Sequence, residues 1–253
     1  MAQINAAIVG VNISYLFLAF LPPILWLLFY LREDKHPEPK LLLLLTFFGG
    51  MASALLALVI EFLLFRKEGL GLMSGGLESN ALLFFLVIGF IEEYVKYLPV
   101  KFLIIRRLEF DEPIDAMIYM MTSALGFAAL ENALFIFPII QHSFFSGIEV
   151  TANRFLGANL LHALSSGIVG FFLARAWFVS AQHKRRYLIA FGLVFASVLH
   201  AVFNYLILIR EVIPQGTFYI ILLLSIMAVI IFVDFERLKM AGRKSGPESP
   251  NKT

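Results

Sequence analysis

Cysteine is absent from all 253 residues, which excludes disulfides, a thiol nucleophile, a cysteine-built zinc or iron–sulfur site and cysteine lipidation. Charge is scarce: Asp, Glu, Lys and Arg make up 15% of the chain, against about 25% in a soluble domain. A net charge of +2 leaves no footprint for nucleic acid as a partner. The first ten residues contain no basic side chain and no small-residue cleavage pattern follows, so a cleavable signal peptide is not expected. What is abundant is apolar: 60% of the residues are hydrophobic. The fold class expected is an all-α polytopic transmembrane helix bundle. It forms one integral-membrane domain over residues 1–234, followed by a basic, partly disordered tail over 235–253.

Seven apolar runs have roughly the length needed to cross about 30 Å of hydrocarbon. They are Val9–Leu31, Leu41–Phe65, Ala81–Leu98, Ile114–Phe137, Phe155–Val179, Leu188–Ile209 and Phe218–Val233. With the N-terminus outside, fifteen Lys and Arg fall on the inner side and four on the outer side (Arg66, Lys67, Arg154 and Arg210). The excess of positive charge inside predicts an outer N-terminus and a cytoplasmic C-terminus. The connections between runs are short, so any chemistry belongs within the bilayer or at its rim. No convincing internal repeat is visible.

The informative residues are polar ones inside the runs, where a charge costs at least about 2.5–3.5 kcal/mol. The third run carries Glu92, Glu93 and Lys96, and the fourth carries Phe127, Glu131 and Asn132. The fifth carries Asn159 and His162, and the sixth carries His200 and Asn204. Each has a plain structural explanation. Glu92 and Lys96 stand four apart, in the favourable order for an ion pair, whereas Glu93 points about 100° away and lacks that partner. A lone histidine in a span commonly bridges helices. Glu131 and Asn132 fit a helix end, and Glu61 fits a snorkelling side chain at the outer end of the second run. His36, His142 and His183 fall in connections and are expected to be solvated. Pro99 should kink or end the third run. Asp111-Glu112-Pro113 reads as a helix start with Asp115 in its first turn. Three Glu, two His and an Asn drawn from four runs are nonetheless hard to explain as helix glue alone.

Helix rise adds a convergence. At about 1.5 Å per residue, Glu92 and Glu93 lie about 14–18 Å below the outer face, His162 and His200 about 12 Å, and Glu131 about 5 Å. Buried carboxylates, two imidazoles and an amide suit peptide hydrolysis: a general base for water, a proton donor for the leaving amine, a stabiliser for the oxyanion. The same side chains suit zinc with an open coordination position. No His-Glu-x-x-His, Gly-x-Gly-Asp or Gly-x-Ser-x-Gly element is present. A proton- or ion-coupled carrier also keeps Glu, Lys and His within spans, but the repeats and paired broken helices of a carrier are missing. A purely structural membrane partner is the third reading.

Glu92-Glu93-x-x-Lys96, then Phe110-Asp111-Glu112-Pro113-x-Asp115, Phe127-x-x-x-Glu131-Asn132, His162 and His200-x-x-x-Asn204 together resemble the PrsW-type intramembrane proteases. That family is similar, distantly, to the CAAX prenyl endopeptidases and bacteriocin-processing proteins. The resemblance covers about residues 85–206. It implies a site-1-type protease for membrane-anchored, anti-sigma-factor-like substrates with a single span, acting in a bacterial or archaeal cytoplasmic membrane. By the same resemblance Glu92 and Glu93 activate water, His162 and His200 are catalytic or ligand positions, and Asn204 stabilises. Glu131 stands where the wider superfamily has His, with Lys96, Asn132 and Phe127 in support. If zinc is the cofactor, Glu131, His162 and His200 are the expected ligands; a metal-free glutamate mechanism stays open. Lys96 and Glu131 depart from the CAAX-type pattern, which argues against prenylated substrates.

Overall fold

The computed structural model describes residues 2–65, 77–140, 142–179 and 182–245, which build eight α-helices. In chain order these are α1 (Ala2–Tyr30), α2 (Lys40–Phe65), α3 (Leu77–Pro99), α4 (Pro113–Ile140), α5 (Phe144–Leu156), α6 (Ala158–Ala174), α7 (Arg185–Ile209) and α8 (Gly216–Ser245). Six segments are long and apolar enough to cross a membrane, and α5 with α6 make up one of them. Helix α3 has 23 residues but carries Glu92, Glu93 and Lys96. The chain is therefore a polytopic all-α membrane bundle of six to seven spans. Its outer surface fits this medium: Phe48, Leu55 and Leu63 on α2 and Phe218, Val229 and Phe232 on α8 are exposed apolar side chains.

Helix α4 is buried along most of its length and is the axis of the bundle, packed against α1, α2 and α6, while α3 lies between α2 and α7. The α2–α4 seam requires glycine on both sides. A Cβ on Gly50 would overlap the carbonyl oxygen of Ser123, and one on Gly126 would overlap that of Phe47. Small residues let helix backbones meet where no aqueous hydrophobic effect drives them together.

Pro99 ends α3 as expected, and a π-helical turn, Val100–Ile104, follows. A proline has no N–H for the carbonyl four residues earlier, here Val95. Ser53 of α2 donates to that carbonyl at 2.8 Å, and Ser123 of α4 donates to the carbonyl of Lys96 at 2.7 Å. Helix α3 is thus clasped from both sides at its charged turn. Helix α4 starts at Pro113, with Asp115 Oδ2 accepting the backbone N–H of Asp111 (3.0 Å) and Glu112 (2.7 Å). At the same end Tyr119 donates to Glu38 Oε2 at 2.6 Å. Burial pushes the carboxyls of Asp34 and Glu38 above the usual carboxylate range.

One element differs from the sequence reading. The fifth run does not begin as one helix at Phe155: a separate helix, α5, occupies most of the expected outer connection and ends at Gly157. Ser143 caps α5 by accepting the N–H of Ser146. Phe144, Phe145, Ile148 and Leu156 are exposed, and Gly147 and Thr151 are buried. Beyond Asp234, α8 continues as helix to Ser245. Residues 246–253 of the expected tail, and Arg66 and Lys67, lie outside the described residues.

Candidate active site

Helices α3, α6 and α7 deliver Glu92, Glu93, Lys96, His162 and His200 to one buried cluster, and α4 adds Glu131 at its edge. Glu93 and Lys96 are 0% exposed, His162 and His200 2%, and Glu92 8%. Lys96 Nζ is the hub: it donates to Glu92 Oε2 at 3.1 Å and to Glu93 Oε1 at 2.9 Å, and lies 2.8 Å from His162 Nδ1. Glu93 therefore does share Lys96, through i,i+3 spacing, contrary to the expectation that it lacks a partner. A helix surface places both i+3 and i+4 neighbours within reach. Phe127 covers the hub, its ring centre 4.3 Å from Lys96 Nζ and 5.5 Å from the His162 ring.

The hydrogen-bond pattern assigns the ring protons. An ammonium only donates, so His162 Nδ1 accepts and its proton sits on Nε2, 2.8 Å from Glu131 Oε2. His200 Nδ1 lies 3.1 Å from Glu93 Oε1, a carboxylate oxygen that only accepts, so Nδ1 carries that proton. The lone pair left over on His200 Nε2 and the one on His162 Nδ1 that Lys96 engages converge on the same carboxylate. His200 Nε2 is 3.6 Å and His162 Nδ1 3.9 Å from Glu92 Oε2. One donor atom each from Glu92, His162 and His200 lies within 4.8 Å of the other two.

Two imidazoles and a carboxylate fit the three-ligand set of a catalytic metal centre. Each histidine also gives its other N–H to a carboxylate, the support that metal-bound imidazoles characteristically have. The cluster is thus capable of coordinating a metal ion. The carboxylate in the set is Glu92, in place of the Glu131 expected from the sequence. Glu131 faces the far nitrogen of His162, where Arg154 Nη2 also holds it at 2.9 Å.

Glu93 is saturated. Ser165 donates to its Oε1 at 3.0 Å and Ser166 to its Oε2 at 2.7 Å, beside the Lys96 and His200 contacts. The sequence reading missed both serines. Their signal was present, since they follow His162 at i+3 and i+4 in an apolar run. Asn132 stands apart from the cluster's centre: it donates to the Ala19 carbonyl (3.1 Å) and Asn159 Oδ1 (3.0 Å), and accepts from Arg154. Asn159 in turn donates to the Arg154 carbonyl at 3.0 Å, next to the junction between α5 and α6 at Gly157. Asn204 lines a cavity of about 370 Å³ with Glu92, Glu131, Arg154, His162, His200 and Arg210. His36 is exposed and ion-paired to Glu112 at 2.6 Å, and His142 and His183 are exposed.

Glu61 sits half-buried near the end of α2. Its Oε1 is buried without a hydrogen-bond partner among the described residues. It lines a second cavity, of about 280 Å³, whose walls include Glu92, Phe127 and Glu131.

A polytopic bundle with a buried Glu/His centre capable of holding a metal, reached by cavities from within the membrane region, defines an intramembrane hydrolase. The chain belongs to the PrsW family of intramembrane metalloproteases, whose family model matches residues 38–232. Protease PrsW of Geobacillus kaustophilus is 33% identical over 183 residues, 72% of this chain and 74% of the relative. The Bacillus subtilis protein of that name is 33% identical over 179 residues, covering 71% and 75% of the two chains. That of Clostridioides difficile is 28% identical over 227 residues, covering 88% and 90%. No solved structure matches the chain.

Proposed function

We propose that this membrane protease cuts single-span, membrane-anchored proteins of the anti-sigma-factor type at a site-1 position in the outer half of the bilayer. Its N-terminus lies outside and its C-terminus in the cytoplasm of a bacterial or archaeal cell. The observation that carries the mechanism is the convergence of Glu92, His162 and His200, each histidine backed by a second carboxylate. Zinc is the ion that suits this donor set. Bound there, it would polarise the scissile carbonyl and lower the pKa of a water molecule.

The protein's own groups do the rest. Glu93 holds His200, and Glu131, fixed by Arg154, holds His162. Glu131 has 38% of its side chain accessible and faces both cavities, so it is placed to take a proton from water and return it to the leaving nitrogen. Asn204, on the wall of the larger cavity, supplies an amide donor to the developing oxyanion. Lys96 keeps Glu92 in register. A metal-free variant of this mechanism, with Glu92 as the base, draws on one observation: the Lys96 ammonium already touches both Glu92 and His162 Nδ1.

Two measurements test this reading. The purified protein is expected to bind about one metal ion per chain, with cleavage of a single-span substrate lost to a strong chelator. His162→Ala and His200→Ala should each deplete the metal along with activity. Full activity in metal-free protein would leave the glutamate-only mechanism standing. For location, the absence of native cysteine makes labelling clean. Cysteines introduced beside Glu131 and His162 should react with an impermeant reagent applied from outside, whereas labelling only from the cytoplasm would overturn the topology.

A further inference from the structure

Two cavities meet at the site and share Glu92, Glu131 and Phe135 as a common wall. A peptide lying across Glu92 with its cleaved bond at the cluster therefore sends one flank into each. The cavities differ in charge. Among the described residues, the charged lining of the 280 Å³ cavity between α2, α3 and α4 is Glu61, Glu92 and Glu131. The 370 Å³ cavity adds Arg154 and Arg210 at its outer end. Arg210 Nε bonds Glu211 at 3.1 Å, which leaves its remaining donors available.

Hydrolysis adds the water oxygen to the acyl carbon and returns a proton to the departing nitrogen, giving a carboxylate and an amine that protonates. The arginine-lined cavity suits the first product and the acid-lined cavity the second. We infer that the cavity between α2, α3 and α4 receives the substrate segment that follows the scissile bond, and that Glu61 selects this segment by charge. It favours a basic or hydrogen-bond-donating residue there and rejects an acidic one. The inference rests on the protease reading above and extends it to substrate class and direction of binding.

Two further observations support it. Glu61 Oε1 is a buried acceptor with no donor among the described residues, and such an atom is costly unless a ligand supplies one. The cavity is also bordered by Leu58, Leu134 and Phe135, which are 46%, 48% and 52% exposed on the apolar exterior. It opens between α2 and α4 toward lipid, the direction from which a membrane-anchored segment arrives. An acidic side chain on that route meets a lining whose charged residues among those described are all acidic, an unfavourable like-charge pairing.

The test uses the full chain in lipid vesicles with three single-span substrates differing only in the residue after the cleaved bond: Lys, Ala or Asp. The parent should cut the Lys substrate at least about tenfold faster than the Asp substrate. Glu61→Gln should bring that ratio within about threefold, and Glu61→Lys should invert it. Ratios are read within each preparation, so a general loss of activity cancels. A parent that prefers Asp, or a Glu61→Gln protein that keeps the parent ratio, overturns the inference. A parent that cuts none of the three overturns the protease reading itself.

A second measurement holds even if the Glu61 variants do not fold. A photo-crosslinker at the residue after the scissile bond, offered to the Glu92→Gln protein, should attach to α2 near Leu58. Attachment to α7 near Asn204 overturns the assignment.

Discussion

Glu92→Gln is expected to lower proteolysis by about 10²–10⁴-fold while leaving a folded, membrane-inserted protein. Glutamine keeps the shape of the side chain but can neither act as a base nor contribute a carboxylate to the Glu92–His162–His200 set. Glu92 accepts one hydrogen bond from Lys96 and faces both cavities, so its loss leaves little strain behind. Glu93→Gln should be as inactive but less stable. The glutamine NH₂ must then face Lys96, Ser165, Ser166 or His200, all of which donate to the native carboxylate. Initial cleavage rates set beside thermal unfolding in detergent separate the two cases. If both variants turn over near the parent rate, the catalytic assignment of this pair is wrong.

Lys96→Met is expected to be the most damaging single change to the fold. Its ammonium is wholly buried and bonds two carboxylates and an imidazole. Removing one member of a buried charge cluster typically costs about 3–5 kcal/mol, because the partners stay buried without compensation. The unfolding midpoint should fall accordingly, and activity with it. A double-mutant cycle gives the sharper result. Lys96→Met combined with Glu93→Gln should be less destabilised than the two losses added together, with a coupling of about 1–3 kcal/mol. Strict additivity would mean that the contact carries no weight.

Much of this arrangement was legible in the sequence because the bilayer restricts what an apolar run can be. Run lengths, the stop at Pro99 and the start at Pro113 follow from backbone chemistry alone. The gathering of Glu92, Glu131, His162 and His200 follows from helix rise, which fixes depth. Rotation about each helix axis is not fixed in this way. Whether Glu92 or Glu131 faces the histidine lone pairs depends on how α3, α4, α6 and α7 are turned against one another, which packing decides. The same reason hid Glu61, whose sequence neighbours Val59 and Phe62 point to the exposed exterior while its own Oε1 points inward. Helix α5 was hidden differently. Its polar residues read as a loop until the apolar positions Phe144, Phe145, Ile148 and Leu156 are set at helical spacing.

The glycine contact between α2 and α4 gives the site its mechanics. With Gly50 pressed on the backbone at Ser123 and Gly126 on that at Phe47, no side chain separates the two helices there, which makes the seam the natural fulcrum for a tilt of α2. Glu61 stands eleven residues further along α2, a lever arm of about 16 Å. A tilt of about 10° about the fulcrum displaces that carboxyl by about 3 Å, roughly the diameter of a water molecule, while the clasp of Ser53 and Ser123 on α3 sits close to the pivot and scarcely moves. A tilt about this joint would widen the lipid-facing mouth for a bulky segment while Glu92 and the two histidines, carried on α3, α6 and α7, keep their positions.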